Sequence, residues 1–241
     1  MSGPTFNGHD ISTLFTVGDP EISILDSRPV TREVSGRNGA AFVGMTYGAS
    51  TVSFTVVATG TASARREAFS TLGKWLMVDE PKSLVLPDTT DRHYLAVPNG
   101  PLDITRTIGD ESAKLTFMLT DPVAYGEYNT ANLASGGSTA VTVDGTAPTF
   151  LKVVANSAVR DSTALVWGVK VDDADFVHVA TGSGSSRKVE IDSAARTCKL
   201  ANALTLPTLD STWLELAPGS HTVAMDYGSG SAVLSWYERW Y

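Results

Sequence analysis

The chain has a single cysteine, Cys198, so no disulfide can form within it and no cysteine cluster can hold a metal. No histidine lies near it in sequence to take its proton, and the thiol reads as buried and inert rather than nucleophilic. Long apolar runs are also missing, and nothing approaches the roughly 20 residues that a membrane-spanning helix needs. The opening residues, Met-Ser-Gly-Pro-Thr-Phe-Asn-Gly-His-Asp, have neither the basic nor the apolar region of a secretory signal. The chain is therefore expected to stay in the cytoplasm where it is made. Positive charge is scarce: 18 Lys and Arg stand against 26 Asp and Glu, for a net charge of −8. Residues 1–138 carry 10 basic and 15 acidic side chains, and residues 139–241 carry 8 and 11. Neither half has the cationic surplus from which nucleic-acid binders draw most of their affinity.

Signatures of chemistry are equally sparse. His9, His93, His178 and His221 are scattered, with no pair at metal-ligand spacing. No Gly-x-Ser-x-Gly elbow is present to support a hydrolase triad. The acidic run Asp172-Asp173-Ala-Asp175 lacks the central Gly and closing Glu of a calcium loop and reads as a solvated turn. Gly182-Ser-Gly-Ser-Ser-Arg-Lys188 lacks the Gly-Lys-Ser/Thr ending of a phosphate loop and leads into a strand, as a hairpin tip would. Carboxylate pairs for glycoside cleavage have no positive signal. No catalytic, cofactor or metal site is expected, and the chain reads as a non-enzyme.

What the sequence does contain is mostly strand pattern. The exception is residues 63–77, where Ala68, Phe69, Leu72, Trp75 and Leu76 fall on one helical stripe. Ser63 is the expected N-cap. A helix of about four turns is marginal alone, so its stripe is expected to lie on the neighbouring strands. Residues 50–57 alternate strongly, with Val52, Phe54 and Val56 on one face; 84–86, 94–97, 104–108 and 114–120 follow as further strands, with 87–93 as a connection. Residues 21–25 alternate enough for another. Around Asn38-Gly39, a strong hairpin-turn signal, residues 31–44 form a ribbon whose large apolar side chains are chiefly Val34, Phe42 and Val43. Such a ribbon has too little core to stand by itself.

Residues 129–138, small, polar and aperiodic, are the expected domain boundary. Short strands at near-regular spacing follow it at 140–143, 149–154, 165–171, 176–179, 188–191, 197–200, 221–227 and 232–239, implying a β-sandwich of about 100 residues. The expected architecture is mainly β. An N-terminal sandwich- or barrel-like domain (1–130) carries the helix and a hairpin arm at about 30–45, and a second sandwich spans 139–241. Trp236 and Trp240 share one face of the last strand and are expected to close its core.

Several local patterns, in order, resemble the distal tail protein (Dit) family of long, non-contractile-tailed bacteriophages. They are Gly36-Arg-Asn-Gly39, the Val-Ser-Phe-Thr-Val strand at 52–56, and the helix with Arg65, Leu72, Trp75 and Leu76. Leu84-Val-Leu86, Asp91-Arg-His-Tyr94 and Leu115-Thr-Phe-Met-Leu-Thr-Asp-Pro-Val-Ala-Tyr-Gly126 come next. The close, Leu216-Ala-Pro-Gly-Ser-His-Thr-Val223 and Ala232-Val-Leu-Ser-Trp-Tyr-Glu-Arg-Trp240, is similar to that of the family's C-terminal domain.

The resemblance implies a homo-hexameric ring at the virion tail tip, assembled in the cytoplasm of the bacterial host. N-terminal domains surround a DNA channel, and each arm reaches onto the next protomer through Val34, Arg37, Asn38, Phe42 and Val43. Galectin-like C-terminal sandwiches face outward. Such rings join the tail tube to the tail-associated hub protein and often to receptor-binding proteins, without membrane or specific nucleic-acid binding. Some members carry an inserted sugar-binding module, for which this chain has no room. The competing reading is a carbohydrate-binding module for cell-wall attachment, with Trp213, Tyr237 and Tyr241 as candidate contacts.

Overall fold

The computed structural model describes residues 3–241 except 24, 25, 37, 108, 173, 174 and 182–185. The fold is mainly β with one α-helix, and it divides into two compact units, Met1–Ala124 and Tyr125–Tyr241.

The first unit contains β1 (Thr5–Phe6), β2 (His9–Asp10), β3 (Thr16–Val17), β4 (Glu21–Ser23), β5 (Ser27–Glu33), β6 (Ala40–Tyr47) and β7 (Ser50–Ala58). It continues with α1 (Ala62–Leu76), β8 (Lys82–Leu86), β9 (Thr89–Pro98), β10 (Ile104–Arg106) and β11 (Glu111–Leu119). Its spine is the nine-residue antiparallel pairing of β7 with β11, in register Phe117↔Val52, Leu115↔Phe54 and Ala113↔Val56. Successive side chains on a strand alternate faces, so this register gathers all six apolar residues on the buried side. β3 and β4 pair along the other edge of β7, and β11 passes from β10 to β9 along its length. The β4 pairing covers residues 21–23; Ile24 and Leu25, expected in the same strand, lie outside the described residues. Residues 87–93 are not a loop: Leu86 pairs with Thr89 across a two-residue turn, and β9 begins there.

Helix α1 covers this core with Ala68, Phe69 and Leu72, while Trp75 and Leu76 lie half-buried at its margin. Full burial of side chains such as Phe69 or Leu72 is worth about 1.5–3 kcal/mol each, enough to hold a helix of marginal intrinsic stability. The helix starts one residue earlier than its hydrophobic stripe indicates. Thr61, in extended conformation, is the N-cap, and its hydroxyl accepts from the Ala64 N–H at 3.2 Å. Ser63 is already helical, because Thr61 can satisfy a first-turn donor from outside the helix. In the first turn Arg65 donates to the carbonyls of Gly60 and, at 3.0 Å, Gly109. Its Nε stands 3.5 Å from the buried Glu111 carboxylate, tying the helix to the start of β11.

The second unit is a β-sandwich. It comprises β12 (Ala124–Leu133), β13 (Ser138–Val143), β14 (Thr149–Phe150), β15 (Lys152–Ala158), β16 (Val166–Val171) and β17 (Asp175–Ala180). β18 (Arg187–Asp192), β19 (Thr197–Leu200), β20 (Ala203–Thr205), β21 (Glu215–Leu216), β22 (Gly219–Tyr227) and β23 (Ala232–Trp240) complete it. One sheet runs β12-β23-β15-β18-β19-β20 and the facing one β13-β22-β16-β17. Leu133, Val153, Val189, Ile191, Leu234 and Trp236 from the first meet Val141, Trp167, Val169, Val177 and Val223 from the second.

Residues 129–138 are therefore not a linker: their first half is the end of β12, whose polar side chains mask a paired strand. Trp236 is in the core as expected. Trp240 is only half-buried at the strand's end, beside Gly126, where a Cβ would come 2.9 Å from its indole nitrogen. Gly168 has a structural reason too, since a Cβ there would fall 2.4 Å from the His178 ring.

Candidate functional site: an unpartnered arm

β5 and β6 pair with each other and, among the described residues, with no other strand. The ribbon is longer than its turn signal indicates. Glu33↔Ala40 is its last pair, so residues 34–39 form a six-residue connection rather than a tight turn on Asn38-Gly39. Gly36 and Gly39 both have φ near +80° (+81° and +82°), which only glycine adopts without strain. Every described residue of β5 is exposed.

The two faces of the arm differ. Residues paired directly across a ladder share a face, and residues three apart on one strand normally do not. Here the register shifts by one residue, Val30↔Gly44 being followed by Thr31↔Phe42, which leaves Val43 as an extra residue. That bulge brings Phe42 onto the face of Met45, together with their ladder partners Thr31 and Pro29. Arg28 and Arg32 alternate onto the opposite face with Val30. One side of the ribbon gathers Pro29, Phe42 and Met45, and the other carries Arg32 and an Arg28 paired with Asp26. Phe42 and Val43 are each 64% exposed, and Val30, Val34 and Met45 are exposed as well.

Of the residues expected to form the arm contact, Phe42 and Val43 lie on β6, and Val34 and Asn38 lie in the connection. Arg37 lies outside the described residues. Pro29 and Met45, which sequence reading passed over, are ladder partners on the face that Phe42 joins, and Val30 lies on the other face.

The candidate sugar contacts fall in different places. Trp213 packs against the core of the second unit. Tyr241 is exposed at the terminus, its N–H donating to Thr146 Oγ1 at 3.0 Å. Tyr237 instead joins Tyr125 and Tyr128, with ring centroids 5.8 and 4.8 Å away.

The polar clusters are structural in geometry. His178 Nε2 lies 2.7 Å from Asp226 Oδ2, and the ring stacks on Phe176 at 4.7 Å. Ser211 Oγ, the hydroxyl nearby, accepts from the His178 backbone N–H at 3.1 Å, so it is not presented to the imidazole as a nucleophile would be. Asp172, expected in a solvated turn, accepts from Thr222 N–H at 2.7 Å and pairs with His221 at 2.5 Å. These contacts hold its carboxyl below the usual range, the Thr222 N–H contributing most. Burial alone would lower the pKa of His221, but its bonds to Asp172 and the Ala217 carbonyl raise it overall. His9 stacks on Trp75 at 4.6 Å. Cys198 is buried, and burial pushes its thiol up to about 11. Asp173 and residues 182–185 of the glycine-rich tip lie outside the described residues. Among the described residues no three His, Cys, Asp or Glu side chains converge as a metal site would require.

A β-built chain with an outstretched amphipathic ribbon has the form of an assembly component, and the family comparisons specify which kind. Residues 7–117 match the phage tail protein RIFT-related domain, and residues 144–240 match the C-terminal domain of the siphovirus-type tail component. The chain belongs to the distal tail (Dit) protein family of siphophages, structural proteins of the tail. Its fold is similar to the crystal structure of the Dit protein of phage SPP1, with a TM-score of 0.79 and 19% identity over 99% of both chains. It is also similar to a chain of the phage p2 baseplate in its activated, strontium-bound conformation, with a TM-score of 0.52 and 10% identity. That match covers 94% of this chain and 92% of the other. No curated protein matches.

Proposed function

We propose that this protein is a ring-forming connector of the phage tail tip, structural rather than enzymatic. Six copies close around a channel, the first unit of each building the ring and its arm lying on the next copy. The ring joins the tail tube on one side to the tail-associated hub protein on the other, with receptor-binding proteins at the periphery, and is carried in the virion.

The observation that supports this reading best is the arm. A two-stranded ribbon with an apolar face in water is stable only marginally, and its unpaired edges and exposed side chains invite a partner strand or surface. A second copy suits it chemically as well. The arm's other face carries Arg32 beside an Arg28 already paired with Asp26, and the chain it would embrace is acidic, at net −8. The same acidity suits a channel that must pass DNA without holding it.

Deleting residues 34–43 tests the assignment. Light scattering should then report soluble monomers with both units folded, where the intact chain forms hexamers. Hexamers that persist unchanged would rule out the arm as the clasp. Tight duplex DNA binding by the ring at ~0.15 M salt would contradict the channel.

A further inference from the structure

The outer face of the larger sheet of the second unit carries a cavity of about 150 Å³. Register places its residues there. Lys152 pairs with Ser235 on one side and Asp192 on the other, while their neighbours Val153, Leu234 and Ile191 point into the core. Tyr237 and Arg239 continue the outer face of β23. Tyr125, Tyr128, Phe150 and Tyr237 supply ring walls, and Lys152 and Asp192 stand at the rim.

The rings hold one another in place: Tyr237 meets Tyr125 nearly edge-on, at 86°, and Tyr128 at 50°. Tyr128 and Tyr237 nonetheless remain 52% and 42% exposed, so part of each side chain stays open beside the hollow. The charged side chains around them already have partners. Lys152 Nζ lies 3.1 Å from Glu190 and 3.5 Å from Asp192. Hydrogen bonding to Glu190 raises the Lys152 pKa and lowers that of Glu190, so both stay ionised. Arg239 donates to the Pro148 carbonyl at 2.8 Å and stacks over the Phe150 and Tyr125 rings, 5.2 and 5.5 Å from their centroids. The cavity therefore has no surplus carboxylate for a cation, and its one arginine is occupied by a carbonyl and two rings.

Ring faces bordered by groups that can donate and accept hydrogen bonds match a ligand that is apolar on its flat faces and polar at its edge. A purely apolar side chain would fill the hollow but take water from Asp192 and Lys152 without replacing it. We infer that this cavity binds one neutral pyranose unit of a glycan. The sugar's C–H face packs on Tyr237 and Tyr128, and its hydroxyls donate to Asp192 and accept from Lys152. The site is complete within one copy and does not depend on ring assembly.

Saturation-transfer NMR on the full chain tests this with the methyl glycosides of glucose, galactose, rhamnose and N-acetylglucosamine. Inorganic phosphate and N-acetylleucinamide serve as the anionic and apolar alternatives. At least one glycoside should receive saturation, strongest at its ring C–H protons. Tyr237→Ala and Tyr128→Ala should each weaken it at least about fivefold, and Tyr237→Phe should keep affinity within about twofold. Asp192→Asn should weaken it with the fold intact, and this variant decides the matter if the alanine variants lose structure. Binding of phosphate or N-acetylleucinamide alone, no glycoside binding, or glycoside binding indifferent to Asp192→Asn would each overturn the inference.

Discussion

Replacing Phe42 and Val43 together by serine separates what the arm does for its own subunit from what it does for a neighbour. Both side chains are 64% exposed, so within one copy they contribute little to folding. Compared at a dilution where both are monomeric, the double variant should melt within about 0.5 kcal/mol of the parent in stability, as surface substitutions generally do. On a neighbour's surface the two side chains would lose that exposure. At about 25 cal/mol per Å² their burial is worth roughly 1–2 kcal/mol each, or about 3 kcal/mol per junction. That corresponds to a rise of about 100-fold in the junction's dissociation constant. Sedimentation velocity across a dilution series reads this directly, as a ring that falls apart at a concentration about two orders of magnitude higher. An unchanged dilution midpoint would refute the clasp. A large fall in melting temperature between the two monomers would refute the premise, by showing that the arm packs on its own chain.

Three further outcomes follow from single side chains. Arg65→Ala should destabilise the first unit by about 1–2 kcal/mol, seen as an earlier urea transition, because it removes the bond to the Gly109 carbonyl and leaves the buried Glu111 carboxylate with Arg106 alone, 3.6 Å away. The His221–Asp172 pair should stabilise the second unit most between pH 3.8 and 6.5, the ordinary values of the two groups. His221, whose folded pKa is raised, contributes fully below 6.5, and its contribution is lost as pH climbs through the raised value. Asp172, whose folded pKa is depressed, contributes above 3.8 and loses its effect as pH falls through the lowered value. The melting-temperature gap between parent and His221→Gln should therefore shrink as pH rises past 6.5. Cys198, buried with its thiol pushed up to about 11, should resist iodoacetamide at pH 8 in the folded protein and react once urea exposes it; rapid native labelling would contradict its burial.

Much of this fold can be read from the sequence where one face of an element is buried, because burial writes a period into the chain. Residues 50–58 and 111–119 alternate, and α1 carries a helical stripe, so those elements can be read directly. Strands with polar side chains on the exposed face, or only two residues long, leave no such trace. β12 passes for a linker because Asn129, Thr130 and Asn132 look like loop residues, although the backbone between them is paired. The ribbon around Asn38 announces itself through turn residues and a poor core. The placing of Phe42 on one face with Pro29 and Met45 does not, because the bulge at Val43 is a property of the pairing rather than of either strand. Likewise nothing in sequence marks Tyr125 and Tyr128 as companions of Tyr237, more than a hundred positions away; sheet order brings them together.

Native mass spectrometry of the purified chain, at the concentrations where tail tips assemble, tests the ring most directly. The account predicts a dominant species at six times the 25.5 kDa of one chain, collapsing to single subunits when Phe42 and Val43 are both serine. A parent protein that stays monomeric under those conditions, with its arm already protected from water, would contradict it.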